Sequence, residues 1–275
     1  MRNIKLIIEY DGTNYSGWQS QANATAIQDV LSKAIARMVE EPVSVIGASR
    51  TDAGVHALGQ VATFQTSREI PCDGFLKGLN CLLPEDIRVK QCEEVSHDFH
   101  PIRHAKNKEY QYVLEVSQTP SAIWRLRSWW VGPTLDIAAM QEAAEVLVGE
   151  HDFVSFQGAL SDTKTTVRRL DTIWYQVLHG KLGAGFQGEE MKSNEISNSY
   201  ENRYQVPGGK MFVSFTFRGN GFLKYMARNI VGTLVEIGLK RMPVTAMQEI
   251  LEAKDRRKAG PTALPQGLYL VKVNY

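Results

Sequence analysis

The alternation of apolar and polar residues over the first hundred positions predicts the element order strand, helix, strand, strand, helix, strand. Strands are predicted at 4–10, 43–46, 58–66 and 87–95, and helices at about 25–40 and 73–82. The first helix has one apolar face, formed by Ile27, Leu31, Ile35 and Val39. Thr25 and Gln28 have the spacing of a capping box, so we expect them to close the start of this helix.

The same order is predicted again beyond Pro101. Strands are predicted at 109–116, near 166–178, at 211–217 and at 267–273, and helices at 136–148 and 221–239. Two such runs predict an α+β fold of two ferredoxin-like βαββαβ halves, which form a continuous, mainly antiparallel sheet flanked by helices with a central cleft. We expect the halves to span 1–104 and 105–275, with a polar insertion at 184–209 that forms a loop in the second half.

The composition narrows the class of protein. The chain has 275 residues, 43% hydrophobic and 22% charged, which is typical of a globular protein and excludes disorder or a coiled coil as a global description. Its 31 Lys and Arg against 30 Asp and Glu give a net charge of +1, so local charge must hold any nucleic acid.

Several signals are missing from the sequence. Cys72, Cys81 and Cys92 lack the spacing of a disulfide framework or a zinc site. There is no apolar run long enough to span a membrane, and the amino terminus enters a strand pattern instead of a signal peptide. We therefore expect a cytoplasmic protein without a membrane segment.

The most informative stretch is GASRTDAGVHALGQ at 47–60, where Arg50, Thr51 and Asp52 lie in a predicted loop between Gly47 and Gly54. Two interpretations are open. An aspartate in a loop often caps a turn by accepting a backbone N–H. Alternatively, Arg50 keeps Asp52 ionised, as a nucleophile or base must be.

The segment GASRTDAGVHALGQVATF closely resembles the signature of the tRNA pseudouridine synthase A family, in which the catalytic aspartate lies in a GRTDAG-like segment. The resemblance continues over nearly the whole chain, in family order, through EYDGTNYSGWQSQ (9–21), KEYQYVL (108–114), HDFVSF (151–156), MARNIVG (226–232) and AKDRRKAGPTALPQGLYL (253–270).

The resemblance implies a cofactor-free isomerase with no metal, which converts uridine to pseudouridine in the tRNA anticodon stem-loop. It also implies a homodimer in which one tRNA contacts both subunits. By the same resemblance Asp52 is the catalytic aspartate, Arg50 its neighbouring arginine, Tyr110 the tyrosine beside the target base, Arg228 the arginine that pairs with Asp52, and Leu268 an apolar pocket residue. Whether Asp52 adds to C1′, adds to C6 or removes a proton from C2′ is left open.

Each of the other carried-over residues also has a structural interpretation. Tyr110 shares a strand face with Tyr112 and is equally suited to a sheet surface or core. Arg228 falls off the line of Phe222, Met226 and Ile230, which is consistent either with a surface position or with a cleft. Leu268 is by itself typical of a core.

We expect the histidines to have structural roles, not catalytic or metal-binding ones. His56 has no obvious partner in the sequence and is expected to be structural. His97, His100 and His104 recur closely, but without a coherent zinc pattern they favour a polar loop over a metal site.

Positive charge is concentrated locally. Between Arg218 and Lys258 nine Lys or Arg face four Asp or Glu, a net of +5, and a short basic run (Arg103, Lys106 and Lys108) precedes Tyr110. These residues are suited to phosphate contacts or to solvated helix faces. The cluster of Arg125, Arg127, Trp129 and Trp130 is consistent with RNA stacking or with a buried contact.

Two other functions compete with the isomerase. One is a catalytically silent tRNA-binding or tRNA-folding protein, against which the intact site residues argue. The other is a paralogous synthase with a shifted set of uridines. Lys224 and Tyr225 replace the Tyr-His-like pair of the family pattern, and the polar loop is longer than typical, so both features bear on the choice of uridine.

Overall fold

The computed structural model describes residues 1–159, 163–178 and 211–275. The predicted insertion at 184–209 lies outside the described residues. The chain forms two compact units, the first made of Met1–Glu109 with Tyr269–Tyr275 and the second of Tyr110–Leu268.

The described residues form ten strands and five α-helices. The strands are β1 (Arg2–Tyr10), β2 (Ile46–Gly47), β3 (His56–Thr66), β4 (Ile87–Val95), β5 (Asn107–Val116), β6 (Trp129–Trp130), β7 (Gly149–Asp152), β8 (Val167–Leu178), β9 (Met211–Gly219) and β10 (Leu268–Asn274). The helices are α1 (Ile27–Val39), α2 (Cys72–Leu82), α3 (Ile137–Glu145), α4 (Met226–Gly238) and α5 (Ala246–Ala253).

The sheet of the first unit is built around β1, which pairs antiparallel with both β3 and β4. β2 adds antiparallel to β3, so the strand order β4-β1-β3-β2 is the one expected of a ferredoxin-like unit. β10 pairs in parallel with β3 through Tyr269 and Leu270. Apart from its first residue, Leu268, the C-terminal strand therefore belongs to the first compact unit, whereas the predicted division placed all of 105–275 in the second half.

Apolar residues on alternate positions of β1 form the core of the first unit. Ile4, Leu6 and Ile8 are fully buried, as the period of two requires. The helices α1 and α2 cover this sheet face with their own buried residues, and Phe75 of α2 meets Phe64 of β3 edge to face at 5.4 Å.

The second unit has the strand order β5-β9-β8-β7, with β6 added in parallel to β5. β9 pairs antiparallel with β8, and six consecutive residues of β9 are buried, so both of its faces are covered. α4 is buried along almost its whole length, which makes it the central helix of this unit. The predicted α+β class with mainly antiparallel pairing is confirmed.

Local geometry corrects several boundaries. The Thr25–Gln28 capping box does not form, because α1 begins at Ile27 without a side-chain cap, while the Gln28 amide donates to the Val45 carbonyl at 2.8 Å and accepts the Ser20 N–H at 2.9 Å. The predicted strand at 43–46 is reduced to β2, and the helix predicted from 221 begins only at 226.

Two short strands, β6 and β7, and one helix, α5, were not predicted. In the described parts of the chain no helix is both long and apolar enough to cross a membrane.

Candidate active site

Asp52 lies on the loop between β2 and β3, in the first unit. It is half-buried, and the neighbouring Arg50 is exposed. The Val55 N–H donates to the Asp52 carbonyl at 3.1 Å, and Gly54 has φ +76°, so the chain turns sharply directly after the carboxylate. The loop therefore presents Arg50 and Asp52 on one bend.

Contacts from residues 10–18 hold the backbone on both sides of Asp52. The buried Thr51 hydroxyl lies 2.7 Å from the Tyr10 hydroxyl. The Trp18 N–H donates to the Thr51 carbonyl at 3.0 Å, and the Gly54 N–H donates to the Tyr15 carbonyl at 3.2 Å. The position of the Asp52 main chain is thus set by a segment far away in sequence.

Gln60 fixes the strand end before Arg50. Its amide is fully buried, accepts the Ser49 N–H at 3.2 Å and donates to the Ser49 carbonyl at 2.7 Å. Sequence reasoning did not single out Gln60, although a glutamine within the apolar run LGQVATF was a signal for a buried polar anchor.

His56 has a structural place beside this loop. Its ring is almost fully buried and stacks on Tyr269 at 4.8 Å, and its Nδ1 lies 3.0 Å from Asp11 Oδ1 and 3.1 Å from the Gly12 nitrogen. The same Asp11 oxygen accepts from the backbone and the hydroxyl of Thr13. His56 thus links β3 to the turn after β1.

The second unit contains the other three predicted site residues. Tyr110 on β5 is 6% exposed, and its ring meets Phe222 edge to face at 4.8 Å. Tyr112 is also buried on the same strand, as the shared face predicted, and its hydroxyl donates to the Leu264 carbonyl at 2.6 Å. Tyr110 is therefore a largely buried aromatic with only a small exposed part.

Arg228 lies in the first turn of α4, half-buried, and is held on two sides. Its Nε–H donates to the Ala263 carbonyl at 2.8 Å, and the Ala263 N–H donates back to the Arg228 carbonyl at 3.1 Å. The guanidinium carbon lies 4.9 Å from the centre of the Tyr225 ring, a cation–π distance. Met226 and Ile230 are buried, so Arg228 leaves the apolar face as predicted.

Leu268 begins β10 and is 4% exposed. Just before it, a Cβ on Gly267 would lie 2.7 Å from the Tyr112 ring, so only glycine allows this close approach. The segment 263–268 thus contacts both α4, through Ala263, and β5, through Tyr112.

A buried polar network ties the preceding segment, 256–262, to α4. Asn229 is fully buried; its Nδ2 donates to the Phe156 carbonyl at 2.8 Å, and its Oδ1 accepts from Arg256 Nη2 at 3.0 Å and from the Thr262 hydroxyl at 2.6 Å. Arg256 also donates to the Gly260 carbonyl at 2.9 Å, and burial lowers the pKa of its guanidinium. The sequence analysis missed this network, because the positions of Asn229 and Arg256 are not marked by the spacing of apolar residues.

The closely spaced histidines form a turn. His100 Nδ1 accepts from the Ile102 and Arg103 N–H groups, and His104 Nδ1 accepts from the His100 N–H at 3.3 Å. Among the described residues no group of three or more His, Cys, Asp or Glu is arranged to hold a metal ion.

Comparison with known proteins decides the family. A family model described as tRNA pseudouridine synthase matches residues 6–102 and 143–275. The chain belongs to this family. Curated relatives named tRNA pseudouridine synthase A cover all of this chain and are covered in full by it, at 44% identity in Acetivibrio thermocellus and 42% in both Ruminiclostridium cellulolyticum and Geobacter sulfurreducens.

The matched residues bear on the candidate site. Arg50 and Asp52 fall within the first segment matched by the family model, and Arg228 and Leu268 within the second, whereas Tyr110 lies between the two segments. The pairing of Asp52 with Arg228 and the roles of all five residues stay predictions.

Proposed function

We propose that this chain isomerises uridine to pseudouridine in the anticodon stem-loop of tRNA, at about positions 38 to 40, with Asp52 as the catalytic carboxylate and with no cofactor or metal. Membership of the family makes it an isomerase that acts on tRNA uridine. The observation that supports the assignment of Asp52 is its place on a sharp bend whose backbone is fixed on both sides.

The reaction is balanced without a redox partner. The bond from C1′ to N1 of uracil breaks, a bond from C1′ to C5 forms, C5 loses a proton and N1 regains one. All three open roles of Asp52 require an ionised carboxylate. The proposed role of Arg50, two residues away on the same bend, is to favour the charged form of the half-buried Asp52.

The target base must leave its stack before a carboxylate can reach the nucleoside, and this costs a few kcal/mol. Arg50 is exposed and is proposed to hold the tRNA backbone or to occupy the vacated space. In the second unit, Tyr110 is proposed to contact the extruded base with its exposed part, Leu268 to line the apolar side of the pocket, and Arg228 to pair with Asp52.

Exposed basic residues of the second unit are proposed to bind the tRNA backbone. The nine Lys and Arg between 218 and 258 include seven that are exposed, namely Arg218, Lys224, Lys240, Arg241, Lys254, Arg257 and Lys258. Contacts of this kind position a nucleic acid without reading its sequence and make binding dependent on salt. We also propose that the protein is cytoplasmic and forms a homodimer. A measurement of molar mass in solution tests the homodimer.

Substitution of Asp52 tests the catalytic assignment. Asp52→Asn and Asp52→Ala are expected to abolish pseudouridine formation, measured by tritium release from uridine-labelled tRNA, and to leave tRNA binding largely intact, because neither change removes a phosphate contact. Asp73→Asn, an exposed aspartate of the same unit, is the matched control and is expected to retain activity. Robust turnover by Asp52→Asn would refute the assignment.

The rival functions give different results in the same experiments. If the protein only binds tRNA and is catalytically silent, the unsubstituted chain releases no tritium. A paralogous synthase releases tritium, but a map of pseudouridines in tRNA from cells with and without this protein shows the loss outside the anticodon arm.

A further inference from the structure

Tyr225, which precedes α4, has a backbone conformation that a tyrosine rarely adopts. Its φ is +62° and its ψ is 2°, in the left-handed region, where a bulky side chain is strained. Three other non-glycine residues of the described chain have positive φ, and Glu40, Lys240 and Lys254 all lie at the C-terminal ends of helices. That is the usual place for such a residue, because it closes the helix end. Tyr225 instead lies at an N-terminal end, where no capping role explains the strain.

The surroundings of Tyr225 hold its ring in place. The Gly158 N–H donates to the Lys224 carbonyl at 2.8 Å, and the Lys224 ammonium donates to the Ala159 carbonyl at 3.3 Å. A Cβ on Gly158 would lie 2.5 Å from the Tyr225 ring, so the ring packs directly against the glycine backbone. The strained backbone conformation of Tyr225 therefore fixes an aromatic ring at the start of α4.

The Lys224 ammonium lies 5.3 Å from the centre of this ring, and the second cation over the ring is Arg228. Its guanidinium carbon lies 4.9 Å from the ring centre, while its Nε–H is bonded in the plane of the group to the Ala263 carbonyl at 2.8 Å. The first contact restrains the guanidinium against the ring, and the second restrains its Nε–H. Together they limit rotation about the last bonds of a long side chain that otherwise has several rotamers.

We infer that Tyr225 is a positioning residue for Arg228, and that its strained backbone is retained because it places an aromatic ring under the guanidinium. The inference rests on the proposed function, in which Arg228 acts at the reacting site. A positioning residue of this kind affects the rate of the chemical step more than the binding of tRNA, because Tyr225 is not itself among the residues proposed to contact phosphate.

Two substitutions at Tyr225 separate the ring from the rest of the side chain. Tyr225→Phe keeps the ring and is expected to retain kcat within about twofold. Tyr225→Asn tolerates positive φ but removes the ring, and it is expected to lower kcat about tenfold, equivalent to about 1.4 kcal/mol, with the KM for tRNA changed less than about twofold. Recovery by phenylalanine and a loss confined to kcat are results that a merely structural role does not give.

Gly158→Ala tests the same contact without changing Tyr225. Its methyl group displaces the ring, so a similar loss of kcat is expected. Glu40→Asn is the matched control, since it replaces another positive-φ residue, at the C-terminal end of α1, with φ +54°. It is expected to leave kcat unchanged.

The outcomes distinguish this inference from the proposed function. An unmodified chain that forms no pseudouridine refutes the proposed function. If the unmodified chain is active and Tyr225→Asn and Gly158→Ala are equally active, the inference is overturned. It is also overturned if Tyr225→Phe loses as much activity as Tyr225→Asn, or if the loss appears in KM instead of kcat.

Discussion

Gly17 lies against the loop that carries Asp52, and its replacement by alanine tests whether that loop must be held rigidly. Gly17 has φ +90°, and a Cβ at this position would lie 2.5 Å from the Thr51 carbonyl oxygen and 2.9 Å from the Asp52 carbonyl carbon. Both neighbours are backbone atoms, so the new methyl group cannot be accommodated by rotation of a side chain. Gly17→Ala therefore moves either the 16–18 segment or the Asp52 loop.

The magnitude follows from two contributions. Placing alanine at this φ costs about 1 to 2 kcal/mol of the free energy of unfolding. Relief of the contact requires roughly 1 Å of movement and costs about 1 to 3 kcal/mol more, as for other overpacked sites. We expect Gly17→Ala to lower stability by about 3 kcal/mol and kcat/KM by about 100-fold, because a catalytic group displaced by about 1 Å loses that much.

Gly132→Ala is the matched control. Gly132 has φ +92°, almost the same as Gly17, but a Cβ added there meets nothing within 4 Å. Its replacement carries only the backbone cost of about 1 to 2 kcal/mol, which lowers Tm by about 3 to 6 °C. Comparison of Tm and of tritium release for the two variants isolates the contact with the Asp52 loop. Equal losses of Tm and unchanged activity in both variants would refute the reasoning.

Two further predictions concern stability. Asn229→Ala removes three hydrogen bonds from a fully buried site and is expected to cost about 3 kcal/mol by urea unfolding. Thr262→Ala removes one of these and the hydrogen bond that its hydroxyl accepts from Arg256 at 3.1 Å, and it is expected to cost about 2 kcal/mol; a larger loss for Thr262→Ala than for Asn229→Ala would contradict the network. The Arg257 guanidinium lowers the pKa of Asp255 from 3.8 to about 2. Since the folded pKa is depressed, this carboxylate contributes stability above about pH 4 that is lost as the pH falls towards 2. Asp255→Asn is therefore expected to lower Tm at pH 6 but not at pH 2. An equal loss of Tm at both pH values would contradict the assignment.

Most elements were predictable because they depend on residues close together in sequence. The period of two in IKLIIEY and the spacing of four in α1 reflect which side chains face a core, and β1, β4 and α2 lie where the pattern placed them. The start of α4 was not predictable. The apolar pattern begins at Phe222 and continues through Tyr225, whereas the helix begins only after the strained Tyr225. Gln28 illustrates the same limit. The sequence predicts a capping box with Thr25, but the Gln28 side chain instead donates to the Val45 carbonyl, which tertiary folding brings close to it.

The candidate site divides in the same way. The residue types and their order in the 47–64 segment are sufficient to indicate the family, and this resemblance predicts the roles of Arg50 and Asp52, because an aspartate with a nearby arginine between glycines is a local feature. The tertiary structure alone supplied the groups that hold them: Thr51 bonds Tyr10 across 41 positions, and Gly47 is required because the Trp18 ring lies where a Cβ would be. Sequence periodicity records the direction in which a side chain points, but the identity of its partner depends on how distant segments pack, and no local pattern carries that information.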